Sequence, residues 1–195
     1  MALNQPSTNQ TYGSVHSHSE QTKDQTLMLK KMPGRLELYS KSILSSKKAN
    51  TFLRNHNEEQ LVMPNLNVYL KNYYPNSKKI KRYAKVCHFK EQQTLPPTFP
   101  HVLAFNLHLK LMTHKYFPLP VIGLVHIRNT LTAYREIKTT EALSIHTFIG
   151  QCKRSDKGIE FDILTKISVN DNTVWESSST YLYLIKNKDK KAPQD

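Results

Sequence analysis

Three histidines in the middle of the chain are the side chains best suited to acid–base chemistry. His101 and His108 are seven positions apart in a segment with helical character, so they should share one helix face. His126 lies in a segment with strand character. A neutral imidazole can accept a proton near neutral pH and return it in a later step. His101 and His126 are therefore candidate catalytic residues, while a packed or hydrogen-bonded role is the favoured alternative for all three histidines.

The sequence offers no carboxylate at a spacing that would place it beside these histidines. The acidic residues considered are Glu136, Glu141 and Asp162, and none has such a spacing. A histidine that moves protons works best when a second group orients its ring. The candidate catalytic group is therefore incomplete as far as the sequence shows.

Two polar residues follow His126 on the same predicted strand. Arg128 is two positions away and is predicted to point to the same side as His126. Arg128, like Arg135, could bind a phosphate, although arginine on a strand more often makes surface contacts or ion pairs. Asn129 could donate a hydrogen bond to a ligand carbonyl or bond to the backbone, and the sequence leaves both roles open.

The element expected to position His101 and His108 is a helix over residues 98–116, TFPHVLAFNLHLKLMTHKY. Its apolar residues leave no broad polar face, whereas a surface helix would show an apolar stripe at spacings of three and four. We therefore predict a helix that the fold covers on most sides. Thr98 is the predicted N-cap, and Pro100 is acceptable in the first turn. The segment is too short and too interrupted by polar residues to span a membrane.

The other segments predict strands and one short helix around this central helix. Residues 1–26 are predicted to be a disordered tail and residues 186–195 a charged tail, and residues 27–55 carry a weak helical pattern. Strands are predicted at 65–73, 121–137, 142–153, 159–169 and 174–185, a basic amphipathic helix at 78–89, and a hairpin turn at 170–172. The predicted fold class is α+β, with one domain over residues 27–185 and an antiparallel sheet curved around one long buried helix.

The formal net charge of +13 favours an anionic partner: nucleic acid, an acidic protein, a phosphorylated cofactor or a membrane surface. Cys87 and Cys152 are predicted to be free thiols in a reducing compartment, with a disulfide as the alternative. The sequence shows neither a secretory signal nor an apolar run of transmembrane length, and we predict a cytoplasmic protein. His16 and His18 are interpreted as tail residues, so neither a metal nor a cofactor is predicted.

Four sequence blocks together resemble the MaoC-like dehydratase family. They are Tyr-x-x-x-Cys at residues 83–87, PHVLAF at 100–105, GLVHIRN at 123–129 and VWES at 174–177. The likeness covers residues 32–185 and implies a single hotdog fold, in which a curved sheet wraps around a long helix. The candidate substrate-binding residues are Pro100, His101, Phe105, His126, Arg128 and Asn129.

The resemblance implies action on acyl thioesters of coenzyme A or acyl carrier protein. The implied reaction is (R)-specific hydration of an enoyl group or dehydration of a 3-hydroxyacyl group. Many members are double hotdogs, and this chain is similar to their N-terminal half. The family's catalytic signature, Asp-x-Asn-Pro-x-His, is absent, and the nearest string, at residues 170–173, lacks the Pro and the His. We therefore expect a substrate-binding half that forms a homodimer or a heterodimer with another hotdog subunit.

Three other functions stay open. A non-catalytic acyl-binding or scaffold protein would bind the ligand without turnover. A thioesterase of the same fold would need a carboxylate near the start of the central helix, and residues 95–103 contain none. Nucleic-acid binding is allowed by the charge, but aromatic and basic residues are interleaved only around residues 69–83, without a recognisable binding motif.

Overall fold

The computed structural model describes residues 25–34, 38, 40, 63–90 and 93–185. Its strands are β1 (Gln25–Leu29), β2 (Leu66–Tyr73), β3 (Leu124–Ala133), β4 (Leu143–Ser155), β5 (Gly158–Val169) and β6 (Asn172–Leu184). They form one sheet in the order β1-β2-β4-β5-β6-β3. β1 runs parallel to β2, and the other neighbouring strands are antiparallel. β1 and β3 are therefore the edge strands of the described sheet, and the α+β prediction is confirmed.

Helix α1 (Ser77–Val86) and helix α2 (Phe99–Met112) lie between β2 and β3 in the chain. α2 packs against β2, β4 and β5. Ten of its 14 residues are buried, among them Leu103, Leu107 and Leu111. An all-round apolar helix has no face suited to water, and the prediction of a covered helix is confirmed. The helix ends at Thr113, whose hydroxyl donates to the carbonyl of Leu109 at 2.7 Å.

Thr98 occupies the predicted N-cap position, but its side chain does not cap α2. Its hydroxyl lies 2.8 Å from the hydroxyl of Tyr83 on α1 instead. The prediction of Thr98 as the N-cap is therefore confirmed by its position, while its hydroxyl forms a hydrogen bond between the two helices.

The hairpin predicted at residues 170–172 is confirmed. Asn170 and Asp171 have φ angles of 48° and 63°, and Val169 pairs with Asn172 across the turn. Both residue types tolerate the left-handed region, which a two-residue hairpin loop requires at its two central positions. The remaining predicted strands and the short helix agree with the structure, although the strand predicted at 121–137 is shorter, at Leu124–Ala133.

The prediction for the N-terminal region was wrong at residues 25–29, which form strand β1. Residues 25–26 were assigned to the tail and 27–29 to a helical pattern, yet together they pair in parallel with β2, from Gln25 opposite Leu66 to Leu29 opposite Leu70. Leu27 and Leu29 alternate with the exposed Thr26 and Met28. Five residues are too few to separate strand from helix by periodicity, and the pairing partner is distant in sequence. Residues 1–24 and 186–195, and the helical pattern apart from residues 27–34, 38 and 40, lie outside the described residues.

Two further predictions concern the thiols and the membrane. Cys87 is exposed, Cys152 is half-buried, and both are free thiols as predicted. Burial raises the pKa of the Cys152 thiol to about 11. Within the described residues, neither helix combines the length and the apolar character that crossing a bilayer would demand.

Candidate functional site

His101 and His108 share one face of α2, as their spacing predicts. Their ring centroids are 5.9 Å apart, in an edge-to-face arrangement. His126, on β3, stacks on the ring of Tyr181, on β6, at 4.8 Å and with 19° between the planes. The His126 ring also lies 5.8 Å from that of His101. We call His101, His108, His126 and Tyr181 the histidine cluster; it joins the buried helix to the edge of the sheet.

His108 is the buried centre of the histidine cluster. Its Nδ1 lies 3.1 Å from the hydroxyl of Tyr181, and its Nε2 lies 2.9 Å from the hydroxyl of Thr165. Thr165 in turn lies 3.1 Å from Thr147. Burial, and after it the nearby charges of His101 and His126, lower the pKa of His108 to about 3. A neutral imidazole has one donor and one acceptor nitrogen, so both ring nitrogens are satisfied and His108 has a structural role.

His101 is the histidine of α2 that keeps an unused hydrogen-bonding atom. Its Nδ1 is buried and has no hydrogen-bond partner among the described residues. Burial, followed by the charge of His126, lowers the pKa of His101 below its usual value. The ring is therefore neutral at pH 7. A buried nitrogen without a partner is costly, and a ligand or a partner residue that reached it would remove that cost.

Two of the acidic residues considered in the sequence have hydrogen-bond partners outside the histidine cluster. Glu141 accepts two hydrogen bonds from Arg135, at 2.9 and 3.0 Å. Asp162 accepts one from Thr180 at 2.6 Å. In the described part of the chain, the charges that shift the pKa of His101 and His108 are those of other histidines. Among the described residues, no acidic group therefore orients these two rings for proton transfer.

Arg128 lies on the other face of the sheet from His126, contrary to the predicted shared side. His126 is opposite Tyr181, but Arg128 is opposite Thr180, because a bulge at this point leaves one extra residue on β3. Opposed residues of an antiparallel pair share a face, and neighbours along a strand alternate. Arg128 therefore points to the face away from α2, where its guanidinium lies 3.6 Å from Glu160. The prediction that it shares a side with His126 was wrong.

The other candidates fall on or near the cluster side of the sheet. Asn129 is opposite Ser179, and its Oδ1 accepts a hydrogen bond from the Ser179 hydroxyl at 3.0 Å. Phe105 is half-buried and lies one helical turn after His101. Pro100 is buried at the start of α2. Of the six candidates, the structure therefore brings His101 and His126 into contact and separates Arg128 from both.

Pro100 opens onto a cleft of about 350 Å³. Its walls come from the end of α1, the segment before α2 and the C-terminal end of β3, with Phe89, Lys90, Pro96, Pro97, Ala133 and Trp175 among the lining residues. The indole Nε1 of Trp175 donates to the carbonyl of Pro97 at 3.1 Å. The Phe99 N–H donates to the carbonyl of Pro96 at 2.8 Å. The cleft is thus mostly apolar, and its lining includes Pro100, the residue before His101 in the chain.

Tyr181, Thr165 and Thr147 were not among the candidates from the sequence. They form the hydrogen-bond network around His108. They are buried on the inner sides of β6, β5 and β4. The alternation along β6, where Ser177, Ser179 and Tyr181 occupy one face, is a usable signal for polar residues against a helix. The contact with His108 depends on a register between distant strands, which no local pattern contains.

The fold and the buried helix define the class of protein. A six-stranded, mainly antiparallel sheet with a long apolar helix packed on one face is the hotdog fold, as predicted. Solved hotdog dehydratases have the same fold. HtdX of Mycobacterium tuberculosis superposes with a TM-score of 0.58 and 25% identity, over 60% of this chain and 51% of that one.

The sequence comparison agrees with this class. The chain is 26% identical over 121 residues to 3-hydroxyacyl-thioester dehydratase X of Mycobacterium tuberculosis. The matched region covers 62% of this chain and 43% of that protein. The chain therefore matches less than half the length of this relative. The truncated HadBC (3R-hydroxyacyl-ACP dehydratase) complex of the same organism is 13% identical, with a TM-score of 0.49, over 58% of this chain and 89% of that one. No family model matches the chain. The predicted resemblance to MaoC-like hotdog dehydratases is confirmed.

Proposed function

We propose that this chain binds an acyl thioester during (R)-specific 3-hydroxyacyl dehydration or enoyl hydration, and that it is the substrate-binding half of the active unit. The observation that carries the proposal is the histidine cluster, which is neutral at His101 and His108 and has no carboxylate beside these two rings among the described residues. Its member His101 directly follows Pro100 of the cleft in the chain. The similarity to a 3-hydroxyacyl-thioester dehydratase supports the substrate class. The missing Asp-x-Asn-Pro-x-His signature supports the binding role.

The requirements of hydration and dehydration show which catalytic groups this half would lack. Adding or removing water needs a base and an acid near the reacting carbon, and hydrogen-bond donors on the thioester oxygen. His101 can accept a proton, but no carboxylate among the described residues orients it or holds the charged form. His126 stacks between Tyr181 and His101 and lies on an edge strand. In the proposal, the two rings contact the acyl thioester and the partner subunit supplies the acid and the base.

The partner would dock on β3. Its ten residues pair only with β6 in the described sheet, so one row of backbone N–H and C=O groups faces outward. Val125 and Ile127 on this strand are 43% and 42% exposed. An open edge of this length with exposed apolar side chains invites another strand to pair with it. A second hotdog subunit, as a homodimer or a heterodimer, would place its residues next to His126.

The second candidate function is a non-catalytic acyl-binding or scaffold protein. The same cluster and cleft would then bind the ligand, and no partner would restore turnover. His108 is buried with both ring nitrogens satisfied, and no carboxylate of the described part of the chain lies beside it. Both observations favour this function over a thioesterase. The two candidates differ in one outcome, which is turnover after a hotdog partner has been added.

Calorimetric titration of the purified protein with crotonyl-CoA and a longer enoyl-CoA tests the proposal. We expect saturable binding that His101→Ala weakens by roughly tenfold, or about 1.4 kcal/mol. His146→Ala is the matched control, because His146 stacks on Tyr69 on the face of the sheet away from α2. Absence of binding to either thioester, or an equal loss in both variants, would contradict the proposal.

A further inference from the structure

The charge of this protein is concentrated in one part of the chain. Between residues 60 and 135 the sequence contains eleven Lys or Arg residues and one acidic residue, Glu91. On α1, four of these cations are spaced at i, i+3, i+4 and i+7 and so form one stripe along the helix. The stripe consists of Lys78, Lys81, Arg82 and Lys85, and all four are exposed.

The stripe is held on a rigid element. The Asn76 side chain caps α1 by accepting from the Lys79 N–H at 3.1 Å. Ile80 and Ala84 are buried on the opposite side of the helix. Tyr83 fixes α1 to the start of α2 through its hydrogen bond to Thr98. The cations therefore keep a constant position relative to the start of α2.

A groove connects the stripe with the cleft at Pro100. The groove has a volume of about 100 Å³ and is lined by Ile80, Lys81 and Ala84 of α1. It shares Lys90, Thr94 and Pro96 with the cleft that ends at Pro100. A ligand arm that entered beside the stripe would pass Lys81 and Lys90 before it reached the residue next to His101. Both side chains could contact a phosphate on such an arm.

We propose that α1 docks an acidic acyl carrier protein, whose phosphate-bearing arm delivers the thioester through the groove to the Pro100 cleft. The inference rests on the proposed function and specifies the carrier. A free coenzyme A thioester in the groove would lie beside Lys81 and Lys90 but would leave Lys78, Arg82 and Lys85 unused. The stripe extends over about 10 Å of helix, and its three unused cations suit an acidic helix of a protein better than a small molecule.

The test compares a crotonyl-loaded acidic acyl carrier protein with crotonyl-CoA, each titrated against the full chain. The variant is Lys78→Glu/Arg82→Glu/Lys85→Glu, which leaves Lys81 and Lys90 of the groove unchanged. The control is Arg154→Glu/Lys157→Glu/Lys166→Glu, which changes three exposed cations of β4, β5 and their turn and alters the net charge equally. We expect the α1 variant to weaken carrier binding at least about tenfold. The control should stay within about threefold of wild type, and crotonyl-CoA affinity should be unaffected by either change.

Three results would overturn the inference. The first is a carrier affinity that the α1 variant does not lower, and the second is an equal loss in the control variant. The third is binding of crotonyl-CoA without binding of the carrier, which would leave the proposed function intact. Failure to bind either thioester would contradict the proposed function itself. Gel-shift binding of duplex or single-stranded nucleic acid, lost in the α1 variant while the carrier does not bind, would assign the stripe to a different partner.

Discussion

His101, on the buried helix α2, faces His126, on the edge strand β3, with the ring centroids 5.8 Å apart and 27° between the planes. This contact connects the buried helix with one of the two edge strands of the described sheet. His108 and Tyr181 support it from the interior, and β3 presents it to whatever pairs with the sheet. The candidate site therefore combines residues of the buried helix with residues of β3, the strand on which a partner subunit is proposed to dock.

Removal of the Tyr181 hydroxyl tests the support of the cluster. In Tyr181→Phe, the buried Nδ1 of His108 loses its partner at 3.1 Å. We expect the free energy of unfolding to fall by about 1–2 kcal/mol, the cost of one unsatisfied buried group. Urea unfolding measures this, with Tyr183→Phe on the same strand as the control. An unchanged stability in Tyr181→Phe would show that the hydrogen bond contributes nothing.

The stability of the fold should depend on pH through His108. Its pKa is about 3 in the folded protein and 6.5 in the unfolded chain. Between pH 3 and pH 6.5 the unfolded chain binds a proton at this histidine that the folded protein does not bind. The contribution of His108 to the free energy of unfolding is therefore complete above pH 6.5 and is lost as the pH falls towards 3. We expect the free energy of unfolding to decrease by up to about 1.4 kcal/mol per pH unit in this range.

Urea unfolding at pH 7.5, 6.5, 5.5 and 4.5 provides the measurement. His108→Gln should be less steep than wild type, because Gln has no proton to gain. His101 and His146 retain part of the slope, since burial lowers the pKa of both. The exposed His88→Gln is the control and should follow wild type. A wild-type slope in His108→Gln would contradict a buried, neutral His108.

Charge introduced on the edge strand should prevent assembly. Val125→Glu/Ile127→Glu places two carboxylates on β3, where a second copy of the chain would pair. Sedimentation velocity should show dimers for wild type and monomers for this variant. Met28→Glu/Val86→Glu is the control, because both residues are exposed, at 59% and 70%, and lie away from β3. A monomeric wild type, or a variant that still dimerises, would contradict self-association through β3.

The end of α1 offers a stabilising substitution. His88 follows the helix with φ of 57°, and the Phe89 N–H donates to the Ala84 carbonyl at 2.9 Å, as in a Schellman motif. Glycine adopts this conformation without a Cβ penalty. We expect His88→Gly to raise the free energy of unfolding by roughly 0.5–1 kcal/mol and to raise the Tm. His88→Ala should give no such gain, and a lower stability for His88→Gly would show that the His88 side chain contributes contacts.

The sequence predicted the elements whose signals are local. The apolar surround of α2, the alternation of β4 and β5 and the tolerance of Asn170 and Asp171 for positive φ each depend on neighbouring residues. β1 was missed because its identity comes from pairing with β2, about 40 residues later. The spacing of His101 and His108 was sufficient to place them together.

The candidate site shows the same division. His126 contacts His101 because of the register in which β3 pairs with β6. The spacing of two residues predicted that Arg128 points to the same side of the sheet as His126. The bulge beside Ile127 places Arg128 on the opposite face instead. Tyr181 and Thr165 form hydrogen bonds with His108 because of the register of β5 and β6, which is fixed only when the chain folds. Residue types therefore indicated the chemistry, while the register of distant strands decided which residues share the site.

The central claim is that this chain binds the acyl thioester and lacks the complete acid–base machinery. Turnover of crotonyl-CoA by the purified protein, followed as loss of the enoyl absorbance, tests it most directly. We expect no turnover, while crotonyl-CoA still raises the Tm of the protein. Turnover by the chain alone that His101→Ala abolishes would contradict it, because the catalytic groups would then reside in this half.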